Sequence, residues 1–430
     1  MPRDWRDSVD LTEQQSLVRR SIRDLCSAFD DEYWRECDRT ATYPQEFVDQ
    51  LAADGWLGML IPEEYGGVGM STSEAVVMME EIAASGGGFA APQAIHGGIY
   101  NSVPIVKYAD EELKAELLPK VAAGEETIQA FGLTEPNAGS DSTAMETRAE
   151  REPRSGSKQS GATAERKPRS GSERSGTTAD REGDEYVING EKVWISRVEN
   201  SDYLVLMART TPREDVDKRT RGISMILVDL DDAYADGLEI ERIPKTASRA
   251  VHSYQLYFDD VRVPARNLIG EEGEGFYQVL DGLNEERLVI AAECLGLGET
   301  ALESGIDYAN EREVFGGPIG ANQAIQHPLA EAYADLLAAK KVIYDAADRL
   351  DDLDRTAAGA EANVAKYLAA EAAFEAADAA VQTHGGFGVA REYDVERYLR
   401  EARLTRLVPV TQQLALNYLG ERVLGLPRSY

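Results

Sequence analysis

Cysteine and histidine are the side chains in this sequence that most directly suggest a metal or redox centre. The chain has three cysteines and four histidines, at Cys26, Cys37, Cys294, His96, His252, His327 and His384. Their spacing matches neither a metal-ligand pattern, nor a CxxC pair, nor a disulfide framework. The sequence therefore predicts no metal centre. We interpret the isolated histidines as packing residues, except His384, which two glycines follow.

A glycine-rich segment at residues 296–301 has the spacing of a dinucleotide-binding loop. Its sequence GLGETA fits the pattern GxGxxA, in which small residues let the backbone approach a pyrophosphate. The apolar run before this segment continues a helical pattern that begins at Phe276, and it has no βαβ surroundings. We therefore interpret Gly296 and Gly298 as positions of close packing between helices.

The spacing of apolar residues divides the chain into three segments. Residues 1–128 have helical periodicity, residues 129–264 have several short β-type runs, and residues 265–430 return to long, alanine-rich helices. Within the middle segment, Asn189-Gly190 predicts a hairpin turn, because this dipeptide suits tight two-residue turns. The sequence thus predicts an α+β protein with a helical, a β and a second helical domain.

A tandem duplication interrupts the β domain. Residues 150–164 read EREPRSGSKQSGATA, and the following copy begins ERKPRSGSERSGTTA. Neither copy has an aliphatic or aromatic side chain larger than alanine, so the pair cannot stack as solenoid repeats. We expect residues 150–180 to form a mobile, disordered surface loop that takes no part in the chemistry.

Composition limits the possible partners. The formal net charge of −32 disfavours nucleic acid and anionic membranes. The 43% hydrophobic content is typical of a globular protein, and no 18-residue apolar run or leader-like start is evident. The sequence predicts a cytoplasmic protein, and its acidic excess suggests a halophilic source, where salt screens the repulsion between like charges.

Two segments resemble the signatures of one enzyme family. They are GLTEPNAGSDSTA at 132–144 and QTHGGFGVAREYDVERYLRE at 382–401, and they are similar to acyl-CoA dehydrogenases, which use a flavin to desaturate an acyl-CoA between its α and β carbons. The matching positions are Gly132, Thr134, Glu135, Gly139, Ser140, Asp141, Gln382, Gly385, Gly386, Gly388, Glu392, Arg397 and Glu401. The resemblance covers nearly the whole chain except the insert. It implies an N-terminal helical domain, a central β-barrel and a C-terminal four-helix bundle.

The resemblance also implies FAD as the cofactor. It places Phe131, Leu133, Thr134, Trp194 and Ser196 around the flavin ring, Arg312 at the pyrophosphate, and Phe315, Gln323, Gln382, Gly385 and Gly386 on the adenine side, with Thr411 and Gln413 also at the cofactor. A rigid guanidinium suits a phosphate, and paired glycines let the backbone approach a cofactor. Family members complete this site from a neighbouring subunit, so we expect a homo-oligomer, and a tetramer in particular.

For the substrate, the resemblance assigns Ser140, Asn284 and Arg287 to acyl-CoA binding. The commonest position of the catalytic glutamate holds Pro409, which supplies neither a carboxylate nor an N–H group. One branch, which includes isovaleryl-CoA and long-chain dehydrogenases, places the glutamate before an arginine on an earlier helix. Glu286 matches that position and is the expected base, with Glu285 as the alternative one residue away.

These matches imply FAD-dependent dehydrogenation of an acyl-CoA, with electrons passed to an electron-transfer flavoprotein. Two alternatives share the fold, namely an acyl-CoA oxidase and a flavin monooxygenase. A third is a non-catalytic flavin-binding scaffold, because the usual base is missing. Acyl chain length and branching do not follow from the sequence, since one methylene group changes discrimination by only about 1–3 kcal/mol.

Overall fold

The N-terminal part of the chain is helical, as predicted. The computed structural model describes residues 4–153 and 184–428. The first helices are α1 (Glu13–Cys26), α2 (Asp31–Thr40), α3 (Gln45–Ala53), α4 (Thr72–Ile82), α5 (Ala90–Gln93), α6 (His96–Tyr100), α7 (Ser102–Tyr108) and α8 (Glu111–Ala122). Side-chain caps fix several starts: Thr12 and Ser71 form capping boxes with Gln15 and Glu74, and Asp110 accepts a hydrogen bond from the Leu113 N–H.

One sheet forms the middle of the molecule. Its strands are β1 (Ala130–Gly132), β2 (Arg148–Glu152), β3 (Glu185–Ser196), β4 (Tyr203–Arg209), β5 (Ile223–Asp229), β6 (Leu238–Arg242), β7 (Ser253–Pro264) and β8 (Leu268–Ile269), with α9 (Leu230–Ala235) between β5 and β6. The strand order is β6-β7-β3-β2-β4-β5-β8, and β1 pairs with β4 in parallel. No pairing among the described residues joins β6 to β8. The sheet is therefore open, in contrast to the closed barrel that the resemblance implied.

The hairpin prediction at Asn189-Gly190 was wrong. Both residues lie inside β3, which pairs with β7 on both sides of a register shift between Ile188 and Gly190. Gly190 has a φ of 144°, and a Cβ there would lie 2.7 Å from the Thr147 Cα. The Asn189 side chain donates to Asp260 Oδ1 at 2.9 Å and accepts from the Asp260 N–H. The dipeptide is thus extended strand opposite a β-bulge in β7, where Asp259 and Asp260 together face Asn189.

The duplicated segment joins two paired strands. Residues 150–152 belong to β2, which pairs with β3 in antiparallel register, so the expected loop does not begin at residue 150. The remainder of the predicted loop from residue 154 onward lies outside the described residues. Strands β2 and β3 therefore hold the two ends of the segment close together.

Long helices form the C-terminal part. They are α10 (Gly275–Glu311), α11 (Gln323–Arg349), α12 (Arg355–His384), α13 (Val395–Thr405) and α14 (Gln412–Tyr418), and the short strands β9 (Glu313–Val314) and β10 (Gly317–Pro318) join α10 to α11. The predicted close packing in α10 is confirmed. A Cβ at Gly296 would lie 2.2 Å from the Glu80 carbonyl oxygen, and one at Gly298 would lie 2.6 Å from Leu336. The backbone contact at Gly296 requires glycine, whereas at Gly298 a larger residue would displace the Leu336 side chain.

A buried ionic cluster joins the N-terminal helices to the C-terminal ones. Lys340 Nζ on α11 lies 2.7 Å from Glu80 Oε1 on α4 and 2.9 Å from Glu299 Oε1 on α10. Arg19 on α1 lies 3.4 Å from the same Glu80 oxygen. Buried charges require such partners, because an unpaired ion away from water is very unfavourable. The cluster therefore fixes α10, which also carries the expected base, against the N-terminal helices.

The structure also bears on membranes and metals. No helix among the described residues combines the length and hydropathy that a membrane span requires. Within the same residues, no cluster of His, Cys, Asp or Glu side chains has the arrangement of a metal site. The three cysteines are buried free thiols.

Candidate functional site

The adjacent residues Glu285 and Glu286 have different surroundings. Glu286 lies inside the molecule on α10, with 7% of its side chain exposed, and its Oε1 is 3.7 Å from His96 Nε2. Glu285 Oε1 instead forms an ion pair with Lys107 Nζ at 2.7 Å, on the side where Lys107 reaches solvent. Successive helical residues differ by about 100° in direction, so one side chain is directed toward His96 and the other toward Lys107. Of the two candidates for the base, Glu286 is the more deeply buried.

His96 links Glu286 to a second buried carboxylate. Its Nδ1 lies 2.6 Å from Glu293 Oε1, and Gln93 Nε2 donates to Glu293 Oε2 at 2.7 Å. Burial alone would lower the pKa of His96, but the charges of Glu293 and Glu286 raise it above its usual value. We interpreted His96 from sequence as a packing residue. The missed signal is the pair of acids seven residues apart on an apolar helix, which share one face.

Aromatic rings connect this cluster to the predicted flavin residues. The ring centroids of His96 and Tyr100 are 4.6 Å apart, and those of Tyr100 and Phe131 are 6.3 Å apart. Burial, followed by the charges of Glu286 and Glu293, raises the pKa of Tyr100. The Tyr100 hydroxyl therefore stays protonated near neutral pH. Phe131 lies on β1, so the expected base and the first flavin residue belong to one region.

The segment after β1 is tied to β3, which brings two predicted flavin-contacting groups together. The Val193 N–H donates to the Thr134 carbonyl at 2.9 Å. Lys192 Nζ donates to the Leu133 carbonyl at 3.0 Å and to Glu135 Oε1 at 2.8 Å. Burial lowers the pKa of Lys192 to about 8, against the opposite effect of Glu135. We did not include Lys192 among the site residues, although it holds Leu133 and Thr134 beside Trp194.

Trp194 has the backbone and exposure of a ligand-contacting residue. Its φ is +64° at a register shift near the end of β3, and its side chain is 57% exposed. A left-handed conformation is strained for a bulky residue, and such strain is concentrated at functional sites. Ser196 follows, with its Oγ 3.1 Å from Ser253 Oγ. The exposed ring of Trp194, close to Thr134, could pack against a flat ring such as a flavin.

The residues predicted for the pyrophosphate and adenine form a second, exposed group. Arg312, Phe315, Gln323, Gln382, Gly385 and Gly386 are all exposed. Phe315 is fully exposed and has a φ of +54°. Gly385 has a φ of +61°, and an added Cβ at Gly385 or Gly386 meets no atom within 4 Å. The two glycines therefore border open space, as a cofactor cradle requires.

His384 brings this second group together. Its ring stacks on Tyr308 with centroids 4.1 Å apart, and its Nδ1 lies 2.8 Å from the Ala380 carbonyl. The Arg312 N–H donates to the Tyr308 carbonyl at 2.9 Å. His384 thus packs the end of α12 against the end of α10, and burial lowers its pKa. His384 therefore has a structural role: its contact with Tyr308 places the turn at Gly385 and Gly386 near Arg312.

Two of the predicted substrate residues lie beside the expected base. Asn284 is buried and accepts a hydrogen bond from Arg287 Nη1 at 2.8 Å. Burial lowers the pKa of Arg287, and its Nε is buried without a hydrogen-bond partner among the described residues. An N–H left in this state is available to a ligand. Ser140 is instead exposed in the turn after Ala138, and the described contacts do not join it to Glu286.

The segment around Pro409 is fixed by a buried lysine. Lys366 Nζ donates to the Val410 carbonyl at 2.8 Å and to Gln412 Oε1 at 3.3 Å, and burial lowers the pKa of Lys366 to about 8. Thr411 caps α14 by accepting the Leu414 N–H. Gln413 is exposed, whereas Gln412 is buried. Among the described residues, the Val410 N–H makes no hydrogen bond.

Comparison with known proteins agrees with the three-part fold. The family profile of the acyl-CoA dehydrogenase N-terminal domain matches residues 12–125, the middle-domain profile matches 160–261, and the C-terminal-domain profile matches 273–424. Together the three profiles match most of the chain, and they follow the order of its helical, sheet and helical parts.

Individual relatives match nearly end to end. Acyl-CoA dehydrogenase FadE12 of Mycobacterium tuberculosis is 33% identical over 422 residues, which are 97% of this chain and 98% of the relative. The caffeyl-CoA reductase-Etf complex subunit CarC of Acetobacterium woodii is 32% identical over 94% of this chain and 96% of its own. A solved glutaryl-coenzyme A dehydrogenase complex with glutaryl-CoA superposes with a TM-score of 0.84 at 28% identity, covering 98% of both chains.

Proposed function

The chain belongs to the acyl-CoA dehydrogenase family of FAD-dependent oxidoreductases, and on this premise we propose that it converts an acyl-CoA thioester to the trans-2-enoyl-CoA with Glu286 as the base. The reaction removes a proton from the α carbon and a hydride from the β carbon. A carboxylate held away from water is suited to the first task. FAD, when bound, accepts the hydride.

The burial of Glu286 beside His96 carries this proposal. Pro409 offers no carboxylate at the commoner position, and Glu285 is paired with Lys107. Glu286 is the buried acid that precedes Arg287, and aromatic rings connect its neighbour His96 to Phe131. Because a buried carboxylate is available as the base, this arrangement favours an active dehydrogenase and disfavours a non-catalytic flavin-binding scaffold.

The residues that would hold FAD fall into the two groups described above. Phe131, Leu133, Thr134, Trp194 and Ser196 would contact the flavin ring, and Arg312 would meet the pyrophosphate. Phe315, Gln323, Gln382, Gly385 and Gly386 are exposed on this chain, whereas Thr383 and His384 are buried. We propose that a neighbouring subunit completes the adenine side, in a homotetramer.

Substrate binding is assigned to the start of α10. The unpartnered Arg287 Nε and the neighbouring Asn284 side chain would contact the acyl-CoA, and Ser140 would contact it from the turn after β1. The Val410 N–H would polarise the thioester carbonyl, since Lys366 holds the segment through the Val410 carbonyl and so leaves the N–H available. An electron-transfer flavoprotein is the proposed electron acceptor.

A second candidate function is the reverse reaction, reduction of a 2-enoyl-CoA. The similarity to a caffeyl-CoA reductase subunit favours it. Glu286 would then return the proton to the α carbon, so the two directions use the same residue. Anaerobic reduction of the protein by saturated acyl-CoAs, compared with reoxidation by 2-enoyl-CoAs, decides which direction is favoured.

The test is a flavin-bleaching assay. Purified, FAD-loaded protein is mixed without oxygen with a panel of straight, branched and aryl-substituted acyl-CoAs, and the flavin absorbance is followed. We expect at least one thioester to bleach the flavin. If none does and no 2-enoyl-CoA reoxidises chemically reduced protein, the proposed function is wrong. Oxygen consumption during turnover distinguishes an oxidase or monooxygenase from a dehydrogenase.

A further inference from the structure

Two buried carboxylates face one histidine at the expected active site. Glu286 and Glu293 lie two turns apart on α10, and His96 from α6 lies between them, 3.7 Å from Glu286 and 2.6 Å from Glu293. We infer that His96 is a positioning residue whose cationic ring keeps the Glu286 carboxylate ionised and aimed before the reaction. This inference rests on the proposed function and assigns a role to a residue outside the flavin, substrate and base set.

Charge balance is the first argument for this role. Without a cation, two carboxylates that share a dry pocket repel one another, and one of them takes up a proton. A protonated base cannot accept the α proton. A histidine ring presents an N–H on both sides only when it is protonated, and His96 has a carboxylate on both sides. The cluster thus favours an imidazolium between two anions.

The two distances divide the roles of the carboxylates. The 2.6 Å contact with Glu293 is a hydrogen bond that fixes the ring, whereas 3.7 Å to Glu286 is beyond hydrogen-bond range. His96 therefore stabilises the Glu286 charge through space and leaves its oxygen lone pairs available to a proton from the substrate.

Residues from the neighbouring helices and from the end of β3 hold His96 in place. Gln93 Nε2 donates to Glu293, and Arg197 Nη1, just after β3, donates to the Gln93 carbonyl at 2.7 Å. Tyr100 covers the ring from the same helix. The charged or titratable groups around His96 are thus Glu286, Glu293, Arg197 and Tyr100. Because Arg197 follows the strand with Trp194 and Ser196, the network also joins the base to the flavin strand.

The first experiment measures the pH dependence of flavin reduction by rapid mixing. In His96→Gln we expect the pH of the half-maximal reduction rate to rise by about 1–3 units, because the ionised base has lost a close cation. In His96→Gln/Glu293→Gln the rise should be smaller, because the competing carboxylate is also gone. An unshifted profile in a His96→Gln protein with normal FAD content would overturn the inference, since a purely structural defect lowers the rate without moving the profile.

A second measurement needs no substrate. The chain has four histidines, so the ring signal of His96 can be assigned in labelled FAD-loaded protein by its absence from His96→Gln. We expect His96 to titrate above the ordinary value of about 6.5, and at lower pH in Glu286→Gln, since coupling between two sites is reciprocal. If the pKa of His96 is the same in Glu286→Gln as in the parent, the inference is contradicted. This test holds even when His96→Gln fails to fold.

The two measurements also separate the inference from the proposed function. A parent protein that no acyl-CoA or enoyl-CoA converts rejects both the function and the role of His96 in it. A parent that reacts, with an unshifted His96→Gln profile or an uncoupled His96, rejects the role of His96 alone.

Discussion

Lys107 Nζ forms a 2.7 Å ion pair with Glu285 Oε1, which directs that carboxylate toward Lys107, while the next residue, Glu286, lies beside His96. The lysine comes from α7 and the glutamate from α10, so the pair also fixes the direction of the α10 face at this point. This contact separates two glutamates that are equivalent in local sequence.

Glu286→Gln therefore keeps the fold and FAD but removes the base. We expect flavin reduction by acyl-CoA to slow by about 10²- to 10⁴-fold, because that is the usual contribution of a positioned general base. Glu285→Gln is the matched control and should change the rate little, since Glu285 pairs with Lys107 and not with His96. Rapid mixing decides between them: a fast Glu286→Gln variant rejects the assignment, and a slow Glu285→Gln variant moves it by one residue.

Arg312→Ala tests the proposed pyrophosphate contact. Loss of a charge-assisted hydrogen bond to phosphate should lower FAD occupancy at limiting flavin. The exposed Arg20 on α1 offers a control of the same charge change, and Arg20→Ala should retain parental occupancy. Equal occupancy in Arg312→Ala and parent, measured by equilibrium dialysis, would contradict the transfer of this residue.

The buried pair of Lys192 and Glu135 should be essential for stability of the flavin-facing segment. Lys192→Met leaves Glu135 buried without its cation, and we expect the free energy of unfolding to fall by about 3–5 kcal/mol, with lower FAD retention. In Lys192→Met/Glu135→Gln the loss should be smaller, because no unpaired charge stays buried, although the amide keeps only one of the two oxygens that accept the N–H groups of Glu146 and Thr147. Urea unfolding measures both variants, and equal losses would argue against a charge effect.

Deletion of one copy of the duplicated segment, residues 165–179, should leave flavin content and turnover near parental values. The ends of the segment are held by the pairing of β2 with β3, and halving a loop changes its closure cost by only about 0.6 kcal/mol. A large loss of FAD or of turnover, measured by absorbance and the bleaching assay, would show that the segment contributes to the site or to a subunit contact.

The sequence by itself determined the order of helical, sheet and helical parts, and it supplied the site residues that stay predictions. Apolar periodicity is a local property, so it revealed the long helices and the β-rich middle without tertiary information. The same holds for Gly296 and Gly298, whose helical context indicated packing before the contacts with Glu80 and Leu336 were known. The signature residues, including Thr134 and Arg312, followed from resemblance.

Tertiary structure decided the features that depend on residues far apart in the chain. Asn189-Gly190 favours a turn locally, but pairing of β3 with β7 and the approach of Thr147 keep it in an extended strand, opposite a bulge in β7. In the part of the chain that the structure describes, the sheet is open because strand pairing, which strand count does not specify, ends at β6 and β8. His96 was indistinguishable from a packing histidine until the fold placed it between Glu286 and Glu293, because electrostatic coupling depends on distance in space rather than on separation in sequence.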